Sequence, residues 1–241
     1  MPSVPVFIPA EHLKRFATEV LIHAGMERAD AEISADVLVT ADLRGIESHG
    51  ISRLRMYYDG LKSGRHNPQI DFEIVSDQDG AVVVDAHGGM GHPVGVRAMQ
   101  LAIEKARIYG LGAVAVRNSS HFGIAGYYTL LAVRAGMIGL SFTNARPSVA
   151  PTFGVRPALG TNPIAFGAPT DEECPFLFDA ATSIIQRGKI EVMAREGKPM
   201  PPGYVISREG ELLTDARRAD AGFASGLNAL LPLGGSGEEL G

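Results

Sequence analysis

The sequence predicts an α/β protein in which a helical N-terminal layer sits beside a sheet domain of alternating strands and helices. Three observations predict it. Apolar residues recur at helical spacing through the first 62 residues. From about residue 72 short apolar runs alternate with helical stretches, the pattern of an α/β sheet. Glycine is unevenly spread, with only five of 29 before residue 80. Glycine weakens helix interiors and suits tight turns, so this change marks a change of architecture. The expected organisation is a helical domain over residues 1–75 and an α/β domain over 76–241.

The elements follow in order. Residues 9–24 place Leu13, Phe16, Ala17, Val20, Leu21 and Ala24 on one face, with Pro9 suited to a first turn and Gly25 to a stop. Residues 30–43 repeat the pattern through Ile33, Val37, Leu38 and Ala41, with Asp30 as the expected N-cap. Residues 51–62 give a third stripe, Ile51, Leu54, Tyr58 and Leu61. Strands are expected at 72–76 and 81–85 around the turn Asp77–Gly80, then a glycine knot at 88–91 and a helix over 93–108. Strand 113–116, helix 124–135 and strand 137–142 continue an alternation that argues for parallel strands. Residues 163–169 and 175–180 read as strands, 182–195 as a helix, and 204–207 with 211–214 as a hairpin.

Composition bounds the function. With 45% hydrophobic and 20% charged residues the chain has the apolar surface a folded core needs, which excludes a disordered protein. A net charge of −5 supplies no general attraction to nucleic acid, and none is expected as a partner. Cys174 is the one cysteine, so no intrachain disulfide framework is possible and a reducing compartment is expected. The first residues lack the pattern of a secretory signal, and no run of roughly 18 apolar residues offers a membrane span. The expected location is the cytoplasm, with no membrane partner.

Two polar constellations could carry chemistry. Strand 113–116 runs into Arg117-Asn-Ser-Ser-His121-Phe-Gly123, which places His121 at the carboxyl edge where open α/β sheets bind ligands. Imidazole moves protons near neutral pH. The same run also suits a helix cap formed by Asn118, Ser119 or Ser120, with a surface histidine beside it. The second constellation is Glu47-Ser48-His49-Gly50-Ile51-Ser52-Arg53. On a helix His49 and Arg53, four apart, share a face. A guanidinium can clamp a carboxylate while an imidazole handles a proton on the neighbouring oxygen. The alternative is a helix start capped by Ser48 with Arg53 in solvent. Known nucleotide motifs are missing: Gly88-Gly-Met-Gly91 fails G-x-G-x-x-G at Val94, and Gly110-Leu-Gly112 precedes a strand instead of following one. No P-loop, nucleophile elbow, H-E-x-x-H or other metal-ligand spacing occurs, and no metal is expected.

Arg44-Gly-Ile-Glu-Ser-His-Gly-Ile-Ser-Arg53 resembles the signature of the malate/L-lactate dehydrogenase family of the second type. Four further stretches agree in order and spacing: Asn118–Tyr127, Leu159–Pro169, Phe178–Ser183 with Arg187-Gly-Lys189, and Leu230–Gly235. The resemblance implies a non-Rossmann NAD(P)-binding sheet domain beside a helical, substrate-side domain. It implies NAD or NADP as cofactor, a 2-hydroxy acid or 2-keto acid as substrate, and a homodimer. His121 and His49 are similar to the family's acid/base histidines and Arg53 to its carboxylate clamp. Ser48, Asn144 and Thr161 are implied beside the substrate. Asn162, Pro163 and the segment Asp179, Ala180, Ala181, Thr182, Ser183, Ile184 and Ile185 are implied along the cofactor. Family members carry a Trp where Tyr204 stands and continue beyond the Leu-Pro-Leu-Gly-Gly element, so an incomplete cofactor domain is expected. That leaves an inactive homologue with partial ligand or partner binding as the alternative to an active dehydrogenase.

Overall fold

The computed structural model describes residues 7–235. The chain divides into two compact units. One holds the chain up to Gly139 together with Gly167–Phe176, and the other holds Leu140–Phe166 and the chain from Leu177. The boundary expected at residue 75 falls inside the first unit.

In the first unit α1 (Ala10–His23), α2 (Arg28–Leu43) and α3 (Leu54–Lys62) bury one apolar cluster that includes Ala17, Leu21, Ala35, Leu38, Leu54, Tyr57, Leu61 and Met90. The stripes of spaced apolar residues thus become a shared core. Asp30 is not the N-cap: α2 begins two residues earlier, and Asp30 lies buried in its first turn. Its carboxylate takes Arg97 Nη2 at 2.8 and 3.0 Å, and that pairing is what a buried carboxylate there requires. The third helix also starts later than its apolar stripe predicts. Two single 3₁₀ turns, Glu47–His49 and Ile51–Arg53, precede it, separated by Gly50 in an extended conformation. Asp42 Oδ2 accepts the Ile51 N–H at 2.8 Å, and a Cβ on Gly50 would overlap that carboxylate. His49 and Arg53 therefore do not share an α-helical face.

Strands β1 (Glu73–Gln78) and β2 (Ala81–Asp85) form an antiparallel hairpin closed by Asp79-Gly80 alone, a tighter turn than the sequence predicts. β2 connects through α4 (Gly91–Tyr109) to β3 (Ala113–Arg117), which pairs with it in parallel. The expected parallel pairing holds there, whereas β1 is antiparallel because a two-residue loop can only reverse the chain. Gly110-Leu-Gly112 lies between α4 and β3, ahead of the strand. α5 (Ala125–Arg134) follows. Strands β4 (Gly139–Phe142), β5 (Ile164–Ala168) and β6 (Phe176–Ala180) form a sheet in the order β4-β5-β6.

The second unit adds α6 (Arg187–Glu196), β7 (Val205–Ser207), β8 (Leu212–Leu213), α7 (Ala216–Phe223) and β9 (Asn228–Leu230). The expected hairpin is β7 with β8, but β7 also pairs with β9, giving the order β8-β7-β9. Val149, Ile190, Met200, Val205, Leu213, Ala219 and Leu230 form its core. The helix expected from residue 182 begins only at Arg187. Residues 182–184 are tied to distant segments instead: Thr182 N–H donates to Thr161 O at 2.8 Å and Ile184 N–H to Leu231 O at 2.9 Å. No helix among the described residues is long and apolar enough to cross a membrane.

Candidate active site

The first unit gathers Ser48, His49, Arg53 and His121. The two 3₁₀ turns coil the chain so that Ser48 touches both of its neighbours in the motif. Its Oγ lies 2.9 Å from His49 Nδ1, and its carbonyl accepts Arg53 Nε at 2.7 Å. Ser48 is buried and makes no helix cap. It ties the imidazole to the guanidinium.

His121 stands on the loop after β3, and that loop is fixed from several sides. Asn118 takes a left-handed conformation, φ +54°. Its Nδ2 and Arg117 Nε each donate to the buried Asp85 Oδ2 at 2.8 Å. The His87 N–H donates to the same carboxylate, and with Asn118 and Arg117 it holds the Asp85 carboxyl below the usual carboxylate range. Ser120 Oγ accepts the Gly91 N–H at 3.0 Å. A Cβ on Gly91 would collide with the carbonyls of Ser120 and His121, so glycine at the start of α4 is what allows the loop to close down. Tyr128 OH donates to the Phe122 carbonyl, and the two rings stack at 4.8 Å. α5 has no side-chain cap, so Asn118, Ser119 and Ser120 do not serve as one.

Thus positioned, the His121 ring stacks on His49, centroids 5.6 Å apart and 20° from parallel. His121 Nδ1 lies 2.6 Å from the Tyr57 hydroxyl and accepts the Gly123 N–H at 3.2 Å. A backbone N–H can only donate, so Nδ1 carries a lone pair in this geometry and the neutral ring bears its proton on Nε2. Burial raises the Tyr57 hydroxyl well above the usual phenol range, so it stays protonated. Behind Tyr57 lies His92, wholly buried, edge-on to the Tyr57 ring with centroids 4.6 Å apart. Burial, with lesser effects of His121 and His66, pushes the His92 pKa down to about 3.

The second unit gathers the other expected residues. Asn162 Oδ1 accepts the Ala145 N–H at 2.9 Å, which joins the loop of Asn144 to the loop of Thr161, Asn162 and Pro163. Thr182 Oγ1 donates to the Thr161 carbonyl at 3.1 Å, which adds the segment after β6. Asp179 and Ala180 end β6 and are half-buried; Ala181 and Thr182 follow them. Ser183 and Ile185 are buried, and Ser183 Oγ donates to the Ile185 carbonyl at 2.8 Å, with Ile184 half-buried between them. Tyr57, His92 and Asp42 are absent from the sequence-derived set. Tyr57 lies off the stripe Ile51, Leu54, Tyr58 and Leu61, and its partner His121 lies 64 residues away. A signal does exist for it, since it stands four residues after Arg53.

Comparison with known proteins identifies the family. The malate/L-lactate dehydrogenase family model matches residues 8–237. Malate dehydrogenase of Pyrococcus horikoshii is 49% identical over 97% of this chain, and L-sulfolactate dehydrogenase of Methanocaldococcus jannaschii is 42% identical over 95%. The chain spans 63% and 65% of the lengths of these two relatives. The crystal structure of malate dehydrogenase from Entamoeba histolytica superposes with a TM-score of 0.92 at 43% identity, covering 95% of this chain and 64% of that one. A family match over nearly the whole sequence, joined to a shared fold at this identity, shows that the chain belongs to the malate/L-lactate dehydrogenase family.

Proposed function

We propose that the protein is an NAD(P)-dependent oxidoreductase that interconverts a small 2-hydroxy acid and its 2-keto acid. The observation that carries this reading is the grouping of Arg53, His49 and His121 through Ser48 and the stacked rings. It supplies a carboxylate clamp, a proton carrier and a hydrogen-bond donor in one place.

The residues divide the work as follows. Arg53 Nε is committed to the Ser48 carbonyl, so a substrate carboxylate meets the terminal guanidinium nitrogens. That contact turns C2 of the acid toward the imidazoles, a proximity effect. His49 Nδ1 faces a hydroxyl, which can donate or accept. Its ring can therefore gain or lose a proton at Nε2 without forfeiting that contact, as a general acid/base must. His121 has an obligate donor on Nδ1, so its neutral ring presents Nε2–H to the substrate oxygen. When bound, the nicotinamide supplies the hydride chemistry. The second unit's polar set fits such a group. Asn162 spends its oxygen on Ala145 and leaves its amide nitrogen to meet an acceptor, which dinucleotides offer in carboxamide, ribose and phosphate oxygens. Thr161 and Pro163 flank Asn162 in its loop, and Thr182 donates to the Thr161 carbonyl from the segment after β6. The reading extends to a cytoplasmic homodimer with no nucleic-acid or membrane partner, which sedimentation of the purified protein checks for its oligomeric part.

The test is absorbance in the reduced-nicotinamide band with malate, sulfolactate, lactate and ureidoglycolate, each with NAD and NADP. Turnover of at least one is expected. His49→Ala should lower kcat by about 10²–10⁴-fold and remove the pH dependence of kcat/KM near neutrality. His121→Asn, which keeps a donor, should retain that pH dependence. The opposite result exchanges the two roles, and no turnover with any of the four acids would count against the function.

A further inference from the structure

Tyr57 and His121 meet from opposite environments. Tyr57 is wholly buried in the core of α1, α2 and α3, whereas His121 is exposed. An exposed imidazole can turn about its side-chain bonds; a close-packed phenol ring cannot. The rigid end of their 2.6 Å contact is therefore the tyrosine. His92 stands behind both groups that face Nδ1. It packs edge-on to the Tyr57 ring, and its Nε2 would lie 3.3 Å from a Cβ on Gly123. Neither His92 nitrogen has a hydrogen-bond partner among the described residues, so the ring acts here through its shape.

We propose that Tyr57 is a positioning residue for His121: its buried hydroxyl, together with the Gly123 N–H, donates to Nδ1, fixes the plane of the ring and holds the proton on Nε2. The exposed edge then presents a hydrogen-bond donor in every neutral molecule. The inference rests on the role given to His121 under the proposed function. The titratable and charged groups around the pair are His49 stacked on His121, His92 behind Tyr57, Tyr128, which interacts electrostatically with Tyr57, and Arg53, whose charge acts on Tyr57.

Long-range proton–nitrogen NMR of the histidine-labelled full chain reads both ring nitrogens without need of turnover. In the wild type, neutral His121 is expected to show a bare Nδ1 and a protonated Nε2. Tyr57→Phe keeps the packed ring and removes only the hydroxyl. It should move the tautomer ratio toward a mixture, because one of the two donors facing Nδ1 is lost. An unchanged tautomer ratio in a folded Tyr57→Phe protein overturns the proposal. If the variant does not fold, the wild-type spectrum decides: neutral His121 with its proton on Nδ1 overturns the proposal, and on Nε2 supports it. In turnover, Tyr57→Phe should lower kcat about tenfold with KM little changed, whereas loss confined to KM or to thermal stability marks a merely structural tyrosine. A wild-type chain without turnover counts against the role of His121 and leaves the nitrogen spectra to judge Tyr57.

Discussion

His92 combines complete burial with two ring nitrogens that lack hydrogen-bond partners among the described residues, and such groups carry a desolvation cost. Replacing it with an apolar side chain removes that cost, so His92→Leu should leave stability at pH 7 unchanged or raise it by about 1 kcal/mol in urea denaturation. The acid behaviour is more telling. Burial depresses the folded-state pKa to about 3 from the ordinary 6.5. The unfolded chain therefore binds a proton that the folded chain refuses, and stability falls as pH drops from about 6.5 toward 3, at about 1.4 kcal/mol per pH unit. His92→Leu should flatten the stability curve in that window, and an equal slope in both proteins would show that His92 is not the group responsible. At this scale the sequence is legible where function clusters within ten residues. Ser48, His49 and Arg53 stand in one motif, and His121 stands at the end of a strand. The Tyr57–His121 contact is not legible, because only the packing of α3 beneath the loop after β3 brings those residues together.

Elements were readable where an apolar stripe had a partner face. α1 and the hydrophobic part of α3 follow their spacing because those faces share one core. The misjudged starts have local causes. Asp30 carries the residue type of a cap, but its carboxylate is needed inside for Arg97, which lies 67 residues on. Removing one member of such a buried pair strands the other charge, so Asp30→Ala should cost roughly 3 kcal/mol in thermal or denaturant unfolding, the low end for buried pairs because the Arg97 side chain is partly exposed. A loss under 1 kcal/mol would mean that solvent replaces the carboxylate at no great cost. The late start of α6 follows from the bonds of Thr182 and Ile184 to distant carbonyls, which take those N–H groups away from a helix. α7 and β9 gave no readable signal. α7 is eight residues long with alanine as its main apolar residue, and β9 is three residues long. What fixes them is contact: Asp215 caps α7, and Asn228 Nδ2 donates to the Ala219 carbonyl at 2.9 Å.

For the molecule as a whole, the alternation of strands and helices points to an α/β protein, but not to the three small sheets among the described residues or the mixed strand directions within them. Ladders join residues far apart in sequence, and no local pattern records which strand is the neighbour. The proposed cofactor site gives a prediction at this scale. NADH or NADPH at a hundred times its dissociation constant should stabilise the folded protein by about 2.7 kcal/mol, read as a shift of the denaturation midpoint, and the preferred dinucleotide should give the larger shift. No shift with either would count against dinucleotide binding. The path of the chain has one more consequence. The first unit takes Gly167–Phe176 back after the second unit has begun at Leu140. On the ribosome it therefore cannot complete itself when residue 139 emerges, and must wait for the stretch ending at Phe176, by which time the first segment of the other unit is already outside. Proteins assembled from successive contiguous units can finish one before starting the next; here the order of synthesis and the order of completion are interleaved.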